Sequence, residues 1–453
     1  MSDGRNFTQG GILLPLLRFT LPVLMALCLQ SMYGVVDLWV VGTFGQAADV
    51  SAVSTGGQIM HTVTSVITSL ASGATVLLGR EVGRRDREAA ASVVGTAVCM
   101  FAVLALCLTA VMLFAARPFA VALQTPPEAL AQTITYVHIC SGGAICIVAY
   151  NILGSIFRGL GDSKAPLLTV LAACVGNILG DLFFVGALGM GVAGAAIATV
   201  LAQAASVLLC LWWLRRRGVP FPCTRETLRP RRAICLGILR LGVPIAVQDG
   251  LVSVSFLAIN AIVNRLGVIP SAGVGVAGKL CNFIMLVPGA YMQSLSAFVA
   301  QNMGAERPER ARRALFCGVS TSLVFALGLS WLSFFHGDLL AGIFVRDPAV
   351  IGAAVEYLKA YAIDTLLVSF HFCFAGYFSG CGRTKFVLFQ GVAGAFGVRI
   401  PFSYLMSRRQ PVSLFHVGLA TPLSSLVQLL LCVGCFLLTW RRDGQPTLQD
   451  PGQ

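Results

Sequence analysis

The sequence predicts an all-α integral membrane protein: twelve transmembrane helices arranged as two pseudo-symmetric six-helix bundles. Three observations carry this. The 453 residues are 57% hydrophobic and only 11% charged, with a mean hydropathy of +0.82, a balance foreign to soluble domains of this length. The apolar residues fall in a dozen runs, each long enough to cross a hydrocarbon core of about 30 Å as a helix. Finally, the second half of the chain repeats the first.

In order, the runs lie at 13–41, 50–79, 92–115, 131–157, 166–186, 191–214, 236–263, 272–300, 314–335, 353–378, 386–407 and 415–440. The first is too long for a cleavable signal peptide and lacks a small-residue cleavage site. Basic residues gather in every second connection: Arg80, Arg84, Arg85 and Arg87; Arg158 and Lys164; the cluster from Arg215 to Arg232; Arg307, Arg310, Arg312 and Arg313; Arg383 and Lys385; Arg441 and Arg442. The alternate connections carry few, chiefly Arg117, Arg265, Arg346, Arg408 and Arg409. This is the positive-inside pattern, and it puts both termini in the cytoplasm. The net charge of +13 is therefore a topology signal and not the footprint of a nucleic-acid surface. Fifteen cysteines scatter through the runs without a spacing framework and read as small packing residues. The 48 glycines suit close helix–helix approach in a bilayer.

The repeat has a constant offset. Arg18-Phe19-Thr20-Leu21-Pro22 recurs as Arg240-Leu241-Gly242-Val243-Pro244, 222 residues on, and the same offset carries Gly45 onto Gly267. REVGRRDREAA from Arg80 pairs with QNMGAERPERA from Gln301 at 221. The segment from Tyr136 aligns with that from Tyr357, also at 221, so that Phe157, Gly159, Gly161 and Lys164 fall on Phe378, Gly380, Gly382 and Lys385. Six helices per repeat is an even number, so both halves enter from the same side and are related by an axis near the membrane normal. The expected division is an N-lobe at 1–214, a basic cytoplasmic linker at 215–235, a C-lobe at 236–440 and a cytoplasmic tail at 441–453.

Acids inside apolar runs are costly and are normally kept for a pathway, an ion or a proton. Asp181 closes the motif Gly176-Asn177-Ile178-Leu179-Gly180-Asp181, and its spacing from Asn177 puts both on one helical face. Asp37 lies in the first run, with Tyr33 and Gln30 four and seven residues earlier on the same face. The repeat places Ile259 opposite Asp37 and Ser403 opposite Asp181, so the acidic pair belongs to the first half alone. Asp37 and Asp181 together form one expected cation or proton site. In the second half Asp249, Lys279 and Arg399 are the charged residues at membrane depth that suit a substrate site, an ion contact or structural pairing, with Asp364 nearer the outer end. His61 and His371 have no partner at metal spacing. Gly273-x4-Gly278-Lys279 lacks the Ser or Thr of a phosphate loop, and Gly189-x-Gly191-x-x-Gly194 has no βαβ unit around it. Without an ATP site, transport would draw on an ion gradient or on a partner protein.

The segments LPVLMALCLQSMYGVVDLWVVG, LASGATVLLGREVGRRDREAA, YNILGSIFRGLGDSKAP, GVAGAAIATVLAQ and QNMGAERPERARRAL, in this order, resemble the multidrug and toxic compound extrusion (MATE) transporters over almost the full length. The resemblance implies a MATE-like fold and export of amphipathic, often cationic drug-like molecules. It further implies exchange for protons or sodium by alternating access, in the plasma (bacterial inner) membrane, by a monomer. No cofactor, no nucleic acid and no enzyme activity are implied. The family's first-lobe cation site maps onto Asp37, Asn177, Asp181 and Thr199, which would hold the proton or Na+; Gln30 and Tyr33 would support it. Branches that use second-lobe acids have them where this chain carries Val252 and a residue near Val368 or Ser369, with Asp249 one turn before Val252. The runner-up is a lipid-linked precursor flippase of the same superfamily, which would favour a cationic cavity and usually more helices; a transport-dead receptor comes third.

Overall fold

In hydrocarbon every backbone N–H and C=O must be satisfied within the protein, which leaves helices as the form these apolar runs can take. The structure, a computed structural model, describes residues 7–217, Phe221, Thr224, Glu226, Thr227 and 229–443. Part of the expected 215–235 linker (218–220, 222, 223, 225 and 228) and the tail from residue 444 lie outside the described residues. Among the described residues there is no strand. The first half holds α1 (Leu13–Phe44), α2 (Ala47–Arg84), α3 (Arg87–Ala122), α4 (Pro127–Gly142), α5 (Ala144–Leu160), α6 (Lys164–Asp181), a π-helical turn (Leu182–Ala187) and α7 (Gly191–Arg217). The second holds α8 (Arg232–Asn264), α9 (Val268–Ile284), α10 (Leu286–Gly304), α11 (Pro308–Phe335), the short α12 (Gly337–Gly342), α13 (Pro348–Gly380), α14 (Thr384–Gly394), a π-helical turn (Ala395–Arg399), α15 (Ile400–Arg408), the short α16 (Leu414–Gly418) and α17 (Ala420–Asp443).

Eleven helices, among the described residues, are long and apolar enough to span a membrane, and the pair α4–α5 makes a twelfth span with a 57° bend. The expected continuous run at 131–157 is thus broken, at Gly143. The reason is contact: a Cβ on Gly143 would lie 2.3 Å from Val200 Cγ1 of α7, so the junction closes onto that helix only without a side chain. The π turns were not legible from periodicity, because an apolar run reads the same whether one turn is wide or not. The turn between α2 and α3 follows the sequence closely. Arg85 takes the left-handed conformation (φ 63°), and Asp86 caps α3 by accepting the Ala89 N–H at 2.9 Å.

The chain forms two compact units. The first comprises Met1–Gly250, Gly289–Gly318 and Tyr377–Lys385; the second comprises Leu251–Pro288, Val319–Gly376 and Phe386–Gln453. Within the first, α1, α6 and α7 are mutual neighbours and α2 packs on α4 and α5. Its apolar core is built from Val40, Val53, Met112, Val137 and Val185 at one level and Leu78, Phe101, Ile152 and Ile238 at another. There α2 and α10 touch backbone to backbone: a Cβ on Gly83 or Gly304 would meet Gln301 O or Arg80 O, respectively, at 2.0 Å. The second unit has its own core around Ile259, Val274, Leu280, Leu358 and Val417. Large apolar side chains such as Phe114, Leu208, Trp331 and Leu339 stay exposed, as a lipid-facing surface requires.

Because the close neighbour of Gly304 is a main-chain carbonyl, it cannot yield by a rotamer change. Gly304→Ala should cost about 1–3 kcal/mol, the usual range for overpacking, and lower the thermal unfolding midpoint in detergent. Gly57→Ala, with nothing within 4 Å of the new methyl, should not lower it.

Candidate functional site

The GNILGD motif works through its glycines as well as its acid. Gly180 and Gly176 face α7, where a Cβ on Gly180 would meet Ala198 Cβ at 2.9 Å and one on Gly176 would meet Ala202 Cβ at 3.7 Å. Two small residues per helix, four apart, let the axes approach as small-x3-small pairs do in membranes. That approach brings Asn177 to Thr199: Asn177 Nδ2 donates to Thr199 Oγ1 at 3.4 Å, and Thr199 donates to Ala195 O at 3.0 Å. On the other side α6 packs against α1, and the Asp37 carboxyl faces the Asp181 carboxyl and the Asn177 amide. Asp37, Asn177 and Asp181 are all buried, Asp181 with 0% exposure.

Four oxygens of this cluster are buried without any hydrogen-bond partner: Asp37 Oδ1, Asn177 Oδ1 and both oxygens of Asp181. Among the described residues no arginine, lysine or histidine pairs with either acid. A charged Asp at mid-membrane costs about 2.5–3.5 kcal/mol on insertion scales. Two such acids left bare would cancel much of a net stability of about 5–15 kcal/mol. Facing carboxyls can share a proton, one donating to the other, or they can share a cation that uses all four oxygens. The cluster fits either and satisfies itself with neither.

The matched family decides what kind of protein carries this cluster. The family model described as MatE covers residues 22–183 and again 244–405. The chain belongs to the MATE family, whose members are transporters and not enzymes. The two matched blocks start 222 residues apart and end 222 residues apart, the offset of the internal repeat. A probable multidrug resistance protein of Bacillus subtilis, YpnP, is 27% identical over 404 residues, spanning 89% of this chain and 90% of its own. The multidrug export protein MepA of Staphylococcus saprophyticus is 23% identical over 88% of each chain. A solved outward-facing multidrug resistance MATE transporter superposes with a TM-score of 0.89 over 98% of both chains at 21% identity, and a MATE protein in its bent conformation with 0.90. These fix the MATE fold of this multi-pass membrane protein.

The remaining expected residues fall in two places. Gln30 Nε2 donates to the Tyr150 hydroxyl at 3.2 Å, and Tyr33 stands between Asp37 and Gln203. Asp249 belongs to the first unit, where the Ser69 hydroxyl donates to its carboxylate. Lys279 and Arg399 belong to the second. Lys279 is exposed, its ammonium 6.0 Å from the Phe344 ring. Arg399 is buried and donates to Ser255 Oγ at 3.0 Å.

Two residues beside the acid cluster escaped sequence reasoning. Gln203 lies one turn beyond Thr199 and meets Tyr33; its polar side chain within an apolar run, four residues from a site residue, was the available signal. Tyr136 reaches Thr199 from α4, and only the break at Gly143 and the packing of α4 on α7 reveal it.

Two substitutions separate the scaffold from the acid. Gly180→Val should force α6 from α7 and lower the thermal midpoint in detergent. Asp181→Asn, the same shape without a charge, should leave the midpoint unchanged or raise it, since it removes a buried carboxyl that no protein cation compensates.

Proposed function

We propose that the protein is a secondary antiporter that exports amphipathic, cationic organic molecules in exchange for protons or sodium, through the first-lobe acidic site of its MATE branch. The observation that carries this reading is the set of four orphan oxygens on Asp37, Asn177 and Asp181. Buried polar atoms are almost always satisfied, and a group that must be satisfied by something arriving from outside is what coupling to an ion gradient requires. Asp37 and Asp181 hold the ion. Asn177 and Thr199 complete its oxygen shell, and Gln30 and Tyr33 order the approach. In the proposed cycle ion binding disfavours the substrate-loaded outward state and substrate loading in the inward state reverses this. A ligand can shift such an equilibrium only by its differential affinity for the two states.

The transported molecule is drug-like, in keeping with relatives named for multidrug export. The chain acts as a monomer, with lobes at 1–214 and 236–440 and both termini on the cytoplasmic side, as the alternation of basic connections indicates. The flippase reading asks for a cationic cavity, and the acid pair supports the antiporter over it.

Ethidium efflux from proteoliposomes, under an imposed proton or sodium gradient, tests the reading. Wild-type protein should export under one of the two gradients, and Asp37→Asn/Asp181→Asn should lose the gradient-driven rate by at least about tenfold, as loss of a buried charge pair implies. No efflux under either gradient, from folded and correctly oriented protein, would favour the flippase. Efflux that survives in the double variant would move the coupling role to Asp249.

A further inference from the structure

We propose that Arg399 is a built-in cation: it stands at the second-half counterpart of the first-half ion site and neutralises Asp364, so that exchangeable ions couple through the first half alone. The inference rests on the antiporter reading and adds to it the number of coupling sites.

The correspondence follows from the repeat. The offset of 222 that relates the two family-matched blocks, 22–183 and 244–405, sets Arg399 opposite Asn177, Ser403 opposite Asp181, Ser255 opposite Tyr33 and Ile259 opposite Asp37. The corresponding helices are joined in each half, through different residues. In the first half α6 lies against α1, joining Asn177 and Asp181 to Asp37. In the second unit Arg399, at the end of its π turn, reaches α8, its guanidinium donating to Ser255 Oγ at 3.0 Å and lying 4.5 Å from the centroid of the Phe256 ring. A guanidinium over an aromatic face gains cation–π attraction.

The charges differ between the halves. The first-half cluster has two acids and, among the described residues, no base paired with them. In the second both acid positions are uncharged, as Ile259 and Ser403, and a different acid faces the site. Asp364 of α13 is 1% exposed and both its oxygens are buried without a hydrogen-bond partner; Ser425 and the Arg399 charge lie near enough to act on it. Arg399 is itself 5% exposed. The other ionisable groups that face the pair are Tyr357, Tyr361, Cys281 and His371; His371 Nε2 lies 2.8 Å from Gln390 Oε1. Arg399 is the fixed cation among them, and an arginine cannot give up its charge at any working pH. In a low-dielectric interior its attraction for Asp364 acts without direct contact. A removable ion and a covalently held one meet the same electrostatic need, but only the first can be exchanged across the membrane.

The test is the steepness with which efflux from proteoliposomes depends on the coupling ion, proton or sodium, below saturation. Arg399→Gln strands Asp364 and should recruit a second ion, moving the Hill coefficient from about 1 to about 2. Arg399→Gln/Asp364→Asn removes both charges and should bring it back to about 1. If Arg399→Gln fails to fold, the double variant alone decides: folded and transporting with the wild-type steepness supports the proposal. A folded Arg399→Gln protein whose ion dependence is that of wild type overturns it, as does a folded double variant that is inactive or still shows the steeper dependence. Wild-type efflux that responds to neither ion would instead refute the antiporter reading on which this rests, and that result is read before any variant is made.

Discussion

Two carboxyls face one another inside an apolar helix bundle with, among the described residues, no base paired with them, and the first half of the molecule is arranged around that fact. Left charged and bare, Asp37 and Asp181 are among the most expensive groups a membrane protein can carry. The scaffold that holds them in place must supply the stability from elsewhere. It does so by close packing: Gly176 and Gly180 bring α6 against Ala198 and Ala202 of α7, while α1 and the Gly143 junction close the remaining sides. Just beyond Asp181 the helix widens into the π turn Leu182–Ala187, a feature that recurs where helices carry function.

The second half answers the same constraint differently. Its π turn ends on Arg399, so each half has a charged residue bordering a widened turn, Asp181 just before its turn and Arg399 at the end of the other, which the repeat sets opposite Asn177. One half offers oxygens with no cation, and the other offers a cation with an acid nearby. A gene duplication fixes backbone geometry far more firmly than charge. The two halves share helix order, but their charges differ: Asp37 and Asp181 of the first stand opposite Ile259 and Ser403 of the second.

Some of the acid cluster was visible in the chain and some was not. Asp37, Asn177 and Asp181 stood out because charged and amide groups in apolar runs are rare, whereas Thr199 entered only through the family resemblance. Gln203 gave a weaker version of the same signal, one turn from Thr199, and Tyr136 gave none, since a tyrosine near the end of an apolar run reads equally as an interfacial anchor. The break at Gly143 and both π turns leave hydropathy unchanged. The break at Gly143 comes from a neighbour's surface, Val200 against a glycine.

The sequence alone determined that the chain crosses the membrane, about how many times, and that its halves are copies. Those facts depend on run length and composition, which the bilayer reads one helix at a time. It also determined which residues were too costly to be there without a role. Tertiary structure alone decided which of them meet. Whether two acids on different helices share an ion depends on sub-ångström approach between helix surfaces, set by glycines and alanines whose partners lie far away in the chain. It likewise decided that Arg399 meets Ser255, because contacts inside a protein follow the packing of helices and not their order.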